Sequence, residues 1–206
     1  MTPLRPVLLG LVSWLLAPCL LASVNESGGA SEPAARPPQA GAGVVLFEFS
    51  SPGVGGDWRS VNDDVMGGVS RGGSEVKDGR LHFRGALSLE NNGGFASVRV
   101  RTAPKDLSAA TRLVVRAKGD GRTYRLQLGT SAHFRRSRIA YQAEFATRAG
   151  EWIEVSVPLA DFVPTYRGDT LSGPPLDRAG IEEFGLLLAD GQAGPFALEV
   201  AWLRAE

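Results

Sequence analysis

Cysteine is nearly absent from this chain: of 206 residues only Cys19 carries a thiol, inside an apolar run near the N-terminus. If that run is cleaved near Ala22, the mature protein has none, which excludes disulfides, thiol catalysis and cysteine-ligated zinc. Histidine is limited to His82 and His133. His82 falls on the polar side of the alternation at Leu81 and Phe83, so it reads as a surface residue. A Ser-His triad is set aside, with no nucleophile elbow recognised. Net charge is lacking as well: 22 basic residues balance 22 acidic ones. No overall field gathers nucleic acid or anionic lipid, and nucleic acid is not an expected partner. Only three basic residues are lysine, at Lys77, Lys105 and Lys118. No long segment has helical periodicity, and the one apolar run, Val7 to Ala22, is shorter than the ~20 residues a spanning helix needs.

That run, in "MTPLRPVLLGLVSWLLAPCLLAS", has one arginine before it and small residues after it, the shape of a secretory signal. The expectation is a leader at 1–22, a periplasmic or secreted product, and no transmembrane span after processing. "LAPC" faintly resembles a lipoprotein box, but Pro18 stands where a small residue is wanted, so lipidation at Cys19 is the weaker alternative. Residues 23–43 are Gly, Ala, Ser and Pro with almost nothing large to bury and read as a flexible linker. The folded domain is then 44–206.

Past Val44 the pattern has period two. Ala96, Val98 and Val100 alternate with Ser97, Arg99 and Arg101; Tyr124, Leu126 and Leu128 alternate with Arg125 and Gln127. Similar runs cover Ile139 to Phe145, Trp152 to Val157 and Phe196 to Trp202. Each predicts a strand with one wet and one dry face. "LVV" at Leu113 and "GLLLA" at Gly185 are apolar throughout and mark the most buried strands. "KDG" at Lys77 and "GDG" at Gly119 predict tight hairpins, as does "NNGG" at Asn91. Leu176 to Phe184 reads as one or two helical turns. The expected fold class is all-β, a jelly-roll β-sandwich.

Two clusters share one composition, amide and carboxyl side chains followed by Gly-Gly: "NDDVMGG" at Asn62 and "ENNGG" at Glu90. Asp63 and Asp64 are adjacent and would point to opposite faces of a strand, which argues against a shared-proton pair. The spacing is not that of a helix-loop-helix calcium site, and no helix N-terminus follows to cradle phosphate. On chemistry alone each cluster is a turn in which side chains bond local amides.

Longer stretches change that reading. "WRSVNDDVMGGVSRG" at Trp58, "FRGALSLENNGGFASVR" at Phe83, "RAKGDGRTYRLQL" at Arg116, "GEWIEVSVPLADFVPTYRG" at Gly150 and "GIEEFGLLLAD" at Gly180 together resemble the complex I intermediate-associated protein family. The resemblance implies a galactose-binding-like jelly roll, an assembly or chaperone role without a catalytic mechanism, no cofactor, and a protein partner. It also implies signature positions at Trp58, Asn62, Asp63, Asp64, Met66, Gly67, Gly68, Ser70, Asn91, Asn92, Gly93, Gly94, Phe95, Asp120 and Arg167, with Gly119, Gly121 and Gly168 beside them. An exported member would work in the cell envelope.

Three functions compete. A non-enzymatic module would hold a protein partner. A carbohydrate-binding module would stack sugar on Trp58, Tyr124, Tyr141, Trp152 or Tyr166, and needs two or more of these rings in a row on one concave face. A hydrolase would use Asp63 or Asp64 with Glu90. Arg167 is a candidate to reach a ligand carboxylate, or Asp63 or Asp64. The knot "HFRRSR" at His133 is a candidate anion or partner patch. If the two clusters form one site, Asn62 to Ser70 must touch Asn91 to Phe95.

Overall fold

The computed structural model describes residues 43–50 and 56–206; the expected leader with Cys19, and the expected linker apart from Gly43, lie outside them. All described residues fall in one compact unit, Ala40–Glu206. No helix among them is long and apolar enough to cross a membrane.

Thirteen strands form among the described residues: β1 Val44–Glu48, β2 Arg59–Ser60, β3 Arg71–Lys77, β4 Arg80–Leu87, β5 Ala96–Lys105, β6 Arg112–Lys118, β7 Thr123–Phe134, β8 Ser137–Ala146, β9 Trp152–Pro158, β10 Val163–Tyr166, β11 Asp169–Thr170, β12 Ile181–Leu188 and β13 Gly194–Ala205. They build two antiparallel sheets packed as a jelly-roll sandwich. One runs β3-β4-β13-β6-β9, with β1 beside the end of β13; the other runs β11-β10-β8-β7-β12-β5-β2. The core lies between them. Leu81, Phe83, Leu198 and Val200 from the first sheet face Val98, Leu126, Leu128, Phe184 and Leu186 from the second, all buried. Burying each of the large ones contributes about 1.5–3 kcal/mol. The alternation holds on the dry faces of most runs, where Ala96, Val98 and Val100, Tyr124, Leu126 and Leu128, and Ile139, Tyr141, Ala143 and Phe145 are buried; Ser97 and Gln127, expected on wet faces, are buried too, and a bulge between Val200 and Trp202 puts Leu203 rather than Trp202 in the core. Leu113 and Val115, with Leu186 to Leu188, are buried too, in strands flanked on both sides.

Of the expected hairpins, "KDG" forms. Asp78 and Gly79 have φ of 51° and 71°, the two left-handed positions of a type I′ turn, and Lys77 pairs with Arg80. "GDG" and "NNGG" do not: β6 and β7 belong to different sheets, as do β4 and β5. Both are crossovers between sheets. Their Gly, Asn and Asp residues satisfy a turn rule as well as a hairpin rule, and local composition does not say which sheet the next strand joins. Between Leu176 and Phe184 only a single 3₁₀ turn forms, Arg178–Gly180, capped by Asp177, whose Oδ1 accepts from the Ala179 amide at 3.0 Å.

The registers place most signature loops together. Arg71 pairs with Ala86, Leu87 with Gly194, Ala96 with Leu188 and Thr123 with Ala146. The connections at 61–70, 88–95, 119–122 and 189–193 therefore all leave the same end of the sandwich.

Candidate functional site

The Asp63 side chain is the centre of that end. Its relative exposure is 0%, although it belongs to a loop. Oδ1 accepts the Ser70 amide at 2.9 Å. Oδ2 accepts the Ser70 hydroxyl at 2.5 Å, the Gly94 amide at 2.7 Å and the Phe95 amide at 3.3 Å. Burial pushes this carboxyl up, but the hydrogen bonds from Ser70 Oγ and from the Gly94, Ser70 and Phe95 amides outweigh it and hold it below the ordinary carboxylate range. Ser70 Oγ in turn accepts from the Ser88 amide at 2.9 Å. Beside it Asn62 binds a second pair of segments, its Nδ2 donating to Gly72 O at 3.0 Å and its Oδ1 accepting from Ser97 N at 3.3 Å. The two clusters thus form one structure, as a single site requires.

The repeated Gly-Gly now has a physical cause. Gly67 at φ 90° and Gly94 at φ 134° supply backbone that L side chains rarely adopt. Their neighbours supply space: a Cβ on Gly68 would stand 2.4 Å from Asp63 Cγ, and one on Gly93 2.6 Å from Asp63 Oδ2. In each pair one glycine turns the chain and the other lets it reach the carboxylate. Asn91 and Asn92 both sit at positive φ, 56° and 57°, where asparagine is the best tolerated residue after glycine.

What this clamp presents outward is a group of apolar side chains set among the exposed Asp64, Glu90, Asn91 and Asn92. Val65 and Met66 are 67% and 51% exposed, and Val69 and Leu89 are exposed nearby. Next to them an open concavity of about 570 Å³ is lined by Asn62, Asp64, Val69, Arg71, Gly72 and Arg84 among others.

Asp120 holds the same end from the other side. Its carboxylate accepts from Tyr124 Oη at 3.0 Å and from the Ala197 amide at 2.9 Å. Burial first, and then Asp120, push the Tyr124 phenol far up. Arg122 beside it forms a two-pronged pair with Asp190, Nη2 to Oδ1 at 2.6 Å and Nε to Oδ2 at 2.9 Å, and reaches the carbonyls of Pro195 and Gln192. The bond from Arg122 holds Asp190 low against its burial. Sequence reasoning did not single out Ser88, Arg122 or Asp190. Their bonds join segments 18 and 68 residues apart, and no spacing rule reaches so far.

Three expectations need correction. Arg167 lies in the β10–β11 turn, at the edge of its sheet opposite β2 and at the other end of the sandwich, so it reaches neither Asp63 nor Asp64. The rings make no row: Tyr124 and Tyr141 are fully buried, Trp58 packs on Phe47 and Phe49 at 5.4 and 6.1 Å, and Trp152 lies on the other sheet under Arg80. Asp63 is spent on four donors and has no access to solvent, so it cannot serve as a general acid or base. Likewise Gly68 to Gly72 does fit Gly-x-Ser-x-Gly by letter, yet Ser70 is buried and its hydroxyl is held by Asp63. Among the described residues no group of three His, Cys, Asp or Glu is placed to hold a metal.

A family model described as complex I intermediate-associated protein 30 matches residues 47–200. The chain belongs to this family. The mitochondrial complex I intermediate-associated protein 30 of Drosophila melanogaster is 27% identical over 184 residues, which span 79% of this chain and 62% of that protein. An uncharacterized protein of Schizosaccharomyces pombe is 29% identical over 79% of this chain and 83% of its own length. Solved structures with the same fold include the family 11 carbohydrate-binding module of the Clostridium thermocellum cellulase Lic26A-Cel5E, with a TM-score of 0.61 at 14% identity over 81% of this chain and 95% of the module. The family 30 module of Cel9D-Cel44B has a TM-score of 0.53 at 14% identity, covering 79% of this chain and 96% of that module. In this member of the complex I intermediate-associated protein 30 family, the buried Asp63 clamp therefore sits on a jelly-roll sandwich whose fold those modules share.

Proposed function

We propose that this chain is a non-enzymatic binding module, exported to the cell envelope, that holds a protein partner through the loops Asp63 pins. The observation that carries this reading is the display of Val65, Met66, Val69 and Leu89 on a backbone fixed by four hydrogen bonds to one buried carboxylate. Apolar side chains on pre-ordered loops lose little entropy on binding, which is what a recognition surface needs. Family membership supports an assembly-type role, since the Drosophila relative is named for association with complex I intermediates. The N-terminal run Val7 to Ala22 supports export. Crosslinking from a photoreactive residue at Met66 in the native envelope should trap one reproducible protein, lost when Val65→Ser/Leu89→Ser is added to the same chain. The absence of any reproducible adduct would overturn the reading. The mass of the exported product tests the leader: cleavage near Ala22 removes Cys19, and a lipid adduct on Cys19 would replace that account.

A second reading, glycan binding, is favoured by the concavity beside the clamp, where Asn62, Asp64, Arg71 and Arg84 surround a floor of Gly72 and Gly85. One module with this fold has been solved with a β-1,3-1,4-linked tetrasaccharide. A glycan array without hits would remove this reading.

A further inference from the structure

At the end of the sandwich opposite the Asp63 clamp, two hairpin tips stand side by side. The β7–β8 turn is Arg135–Arg136, closed by the pair Phe134 and Ser137. The β10–β11 turn is Arg167–Gly168, closed by Tyr166 and Asp169. Because β8 pairs with β10, the tips are neighbours, and the Phe134 and Tyr166 rings meet edge to face at 5.2 Å. Arg135 lies over Phe134 at 5.4 Å and Arg167 over Tyr166 at 5.5 Å. All three arginines are exposed, and among the described residues none has a carboxylate within 4 Å. The neighbouring polar groups are His133 and the exposed Asp169; Arg138 is already paired with Glu182.

The turn chemistry makes the choice of arginine informative. Two-residue hairpin turns with positive φ favour Asn, Asp or Gly. Here Arg135 and Arg167 occupy φ of 55° and 51°, a conformation that costs an ordinary L residue roughly 1–2 kcal/mol. Both tips therefore accept strain at the position where a guanidinium is presented outward, and strain kept at an exposed tip is a mark of use. The chain as a whole carries no net charge, so this patch is local rather than a by-product of composition.

We infer that the Arg135, Arg136 and Arg167 tips dock this protein on the phosphate groups of an anionic membrane surface. Guanidinium forks suit phosphate oxygens, and the aromatic rings beneath hold the stems of Arg135 and Arg167 in place. The signature loops, at the other end, then face away from the lipid.

The test uses the exported protein, freed of its apolar N-terminal run, with phosphatidylcholine vesicles with and without phosphatidylglycerol. Binding is expected only to the phosphatidylglycerol vesicles and should fall steeply with salt. Each arginine contributes about fivefold, and Arg135→Gln/Arg136→Gln/Arg167→Gln together lower binding about 100-fold. Arg135→Asn and Arg167→Asn guard against misfolding: asparagine suits positive φ, so each variant should melt no lower than the parent while binding more weakly. Equal binding to both vesicle types, or no loss in the triple variant, overturns the inference. So does displacement from vesicles by inorganic phosphate beyond the effect of matched sodium chloride, which would mean a discrete phosphate site. Binding to poly-glutamate but not to vesicles would assign the patch to an acidic protein instead and also refute it.

Discussion

Replacing Asp63 by Asn is the sharpest perturbation available, because it keeps size and removes acceptors. The carboxylate takes one donor on Oδ1, at 2.9 Å, and three on Oδ2, at 2.5, 2.7 and 3.3 Å. An amide has one oxygen. If it occupies the Oδ2 position, Nδ2 faces the Ser70 amide; if it occupies Oδ1, Nδ2 faces the Gly94 and Phe95 amides. Either way at least one buried donor loses its acceptor, and the rest lose the charge-assisted part of their strength. Each such loss costs about 1–3 kcal/mol, so Asp63→Asn should cost about 2–4 kcal/mol. In a domain of this size that lowers Tm by roughly 4–16 °C. Thermal unfolding followed by circular dichroism gives the shift, and the pH dependence checks its origin. Asp63 is held below its ordinary pKa in the fold. Its contribution is therefore present above the unfolded carboxylate pKa of about 3.9 and disappears as pH falls through the lower folded value. The gap between parent and variant should be full at neutral pH and close in acid. A Tm change under about 2 °C at pH 7, or a gap that does not depend on pH, would refute the assignment of Asp63 as the ionised clamp.

Gly85→Ala should be destabilising even though its φ is ordinary: a Cβ there would stand 1.8 Å from the Arg71 carbonyl oxygen, inside the β3–β4 ladder. Denaturant unfolding should show a loss at the upper end of the ~1–3 kcal/mol usual for overpacking. Asp190→Ala leaves Arg122 nearly buried without its partner and should cost about 3–5 kcal/mol, whereas Arg122→Met/Asp190→Leu should cost clearly less than the two single changes added together. Since Arg122 holds Asp190 low, the stability supplied by this pair is likewise lost as pH falls below the ordinary aspartate range, and acid titration of Asp190→Ala should lack that part of the fall. Val65→Ser/Leu89→Ser should change stability by less than about 0.5 kcal/mol, because both side chains are exposed, while abolishing the crosslink made from position 66.

The strands were legible because burial on one face imposes alternation, and every run read from period two became a strand. Connectivity was not. "GDG" and "NNGG" carry the residues of a hairpin yet hand the chain to the opposite sheet, since what decides is the pairing of β5 and of β7 with β12, far off in sequence. The site was half legible. That Asn62–Ser70 meets Asn91–Phe95 followed from repeated composition, but the separate tasks of the two glycines in each pair need the position of the Asp63 carboxylate to be seen. Arg167 was placed with the signature by family pattern, and only the β8–β10 pairing moves it to the far end. Ser97 was read on the wet face and is buried, because the loop from Val61 lies over it and takes its hydroxyl at 2.5 Å.

The two carboxylate clamps also bear on the order of events in folding. Asp63 joins positions 31 residues apart, and Arg122 joins Asp190 across 68. The first cannot form until β4 and β5 have taken their places in different sheets, nor the second until β7 and β12, far apart in sequence, have paired. Chain closure over such separations comes late, after the hairpins β3–β4 and β7–β8 have assembled from local contacts. Interactions made late are missing from the transition state, so weakening either clamp should leave the folding rate nearly unchanged and raise the rate of unfolding. The signature end thereby works as a latch that sets the lifetime of the native state.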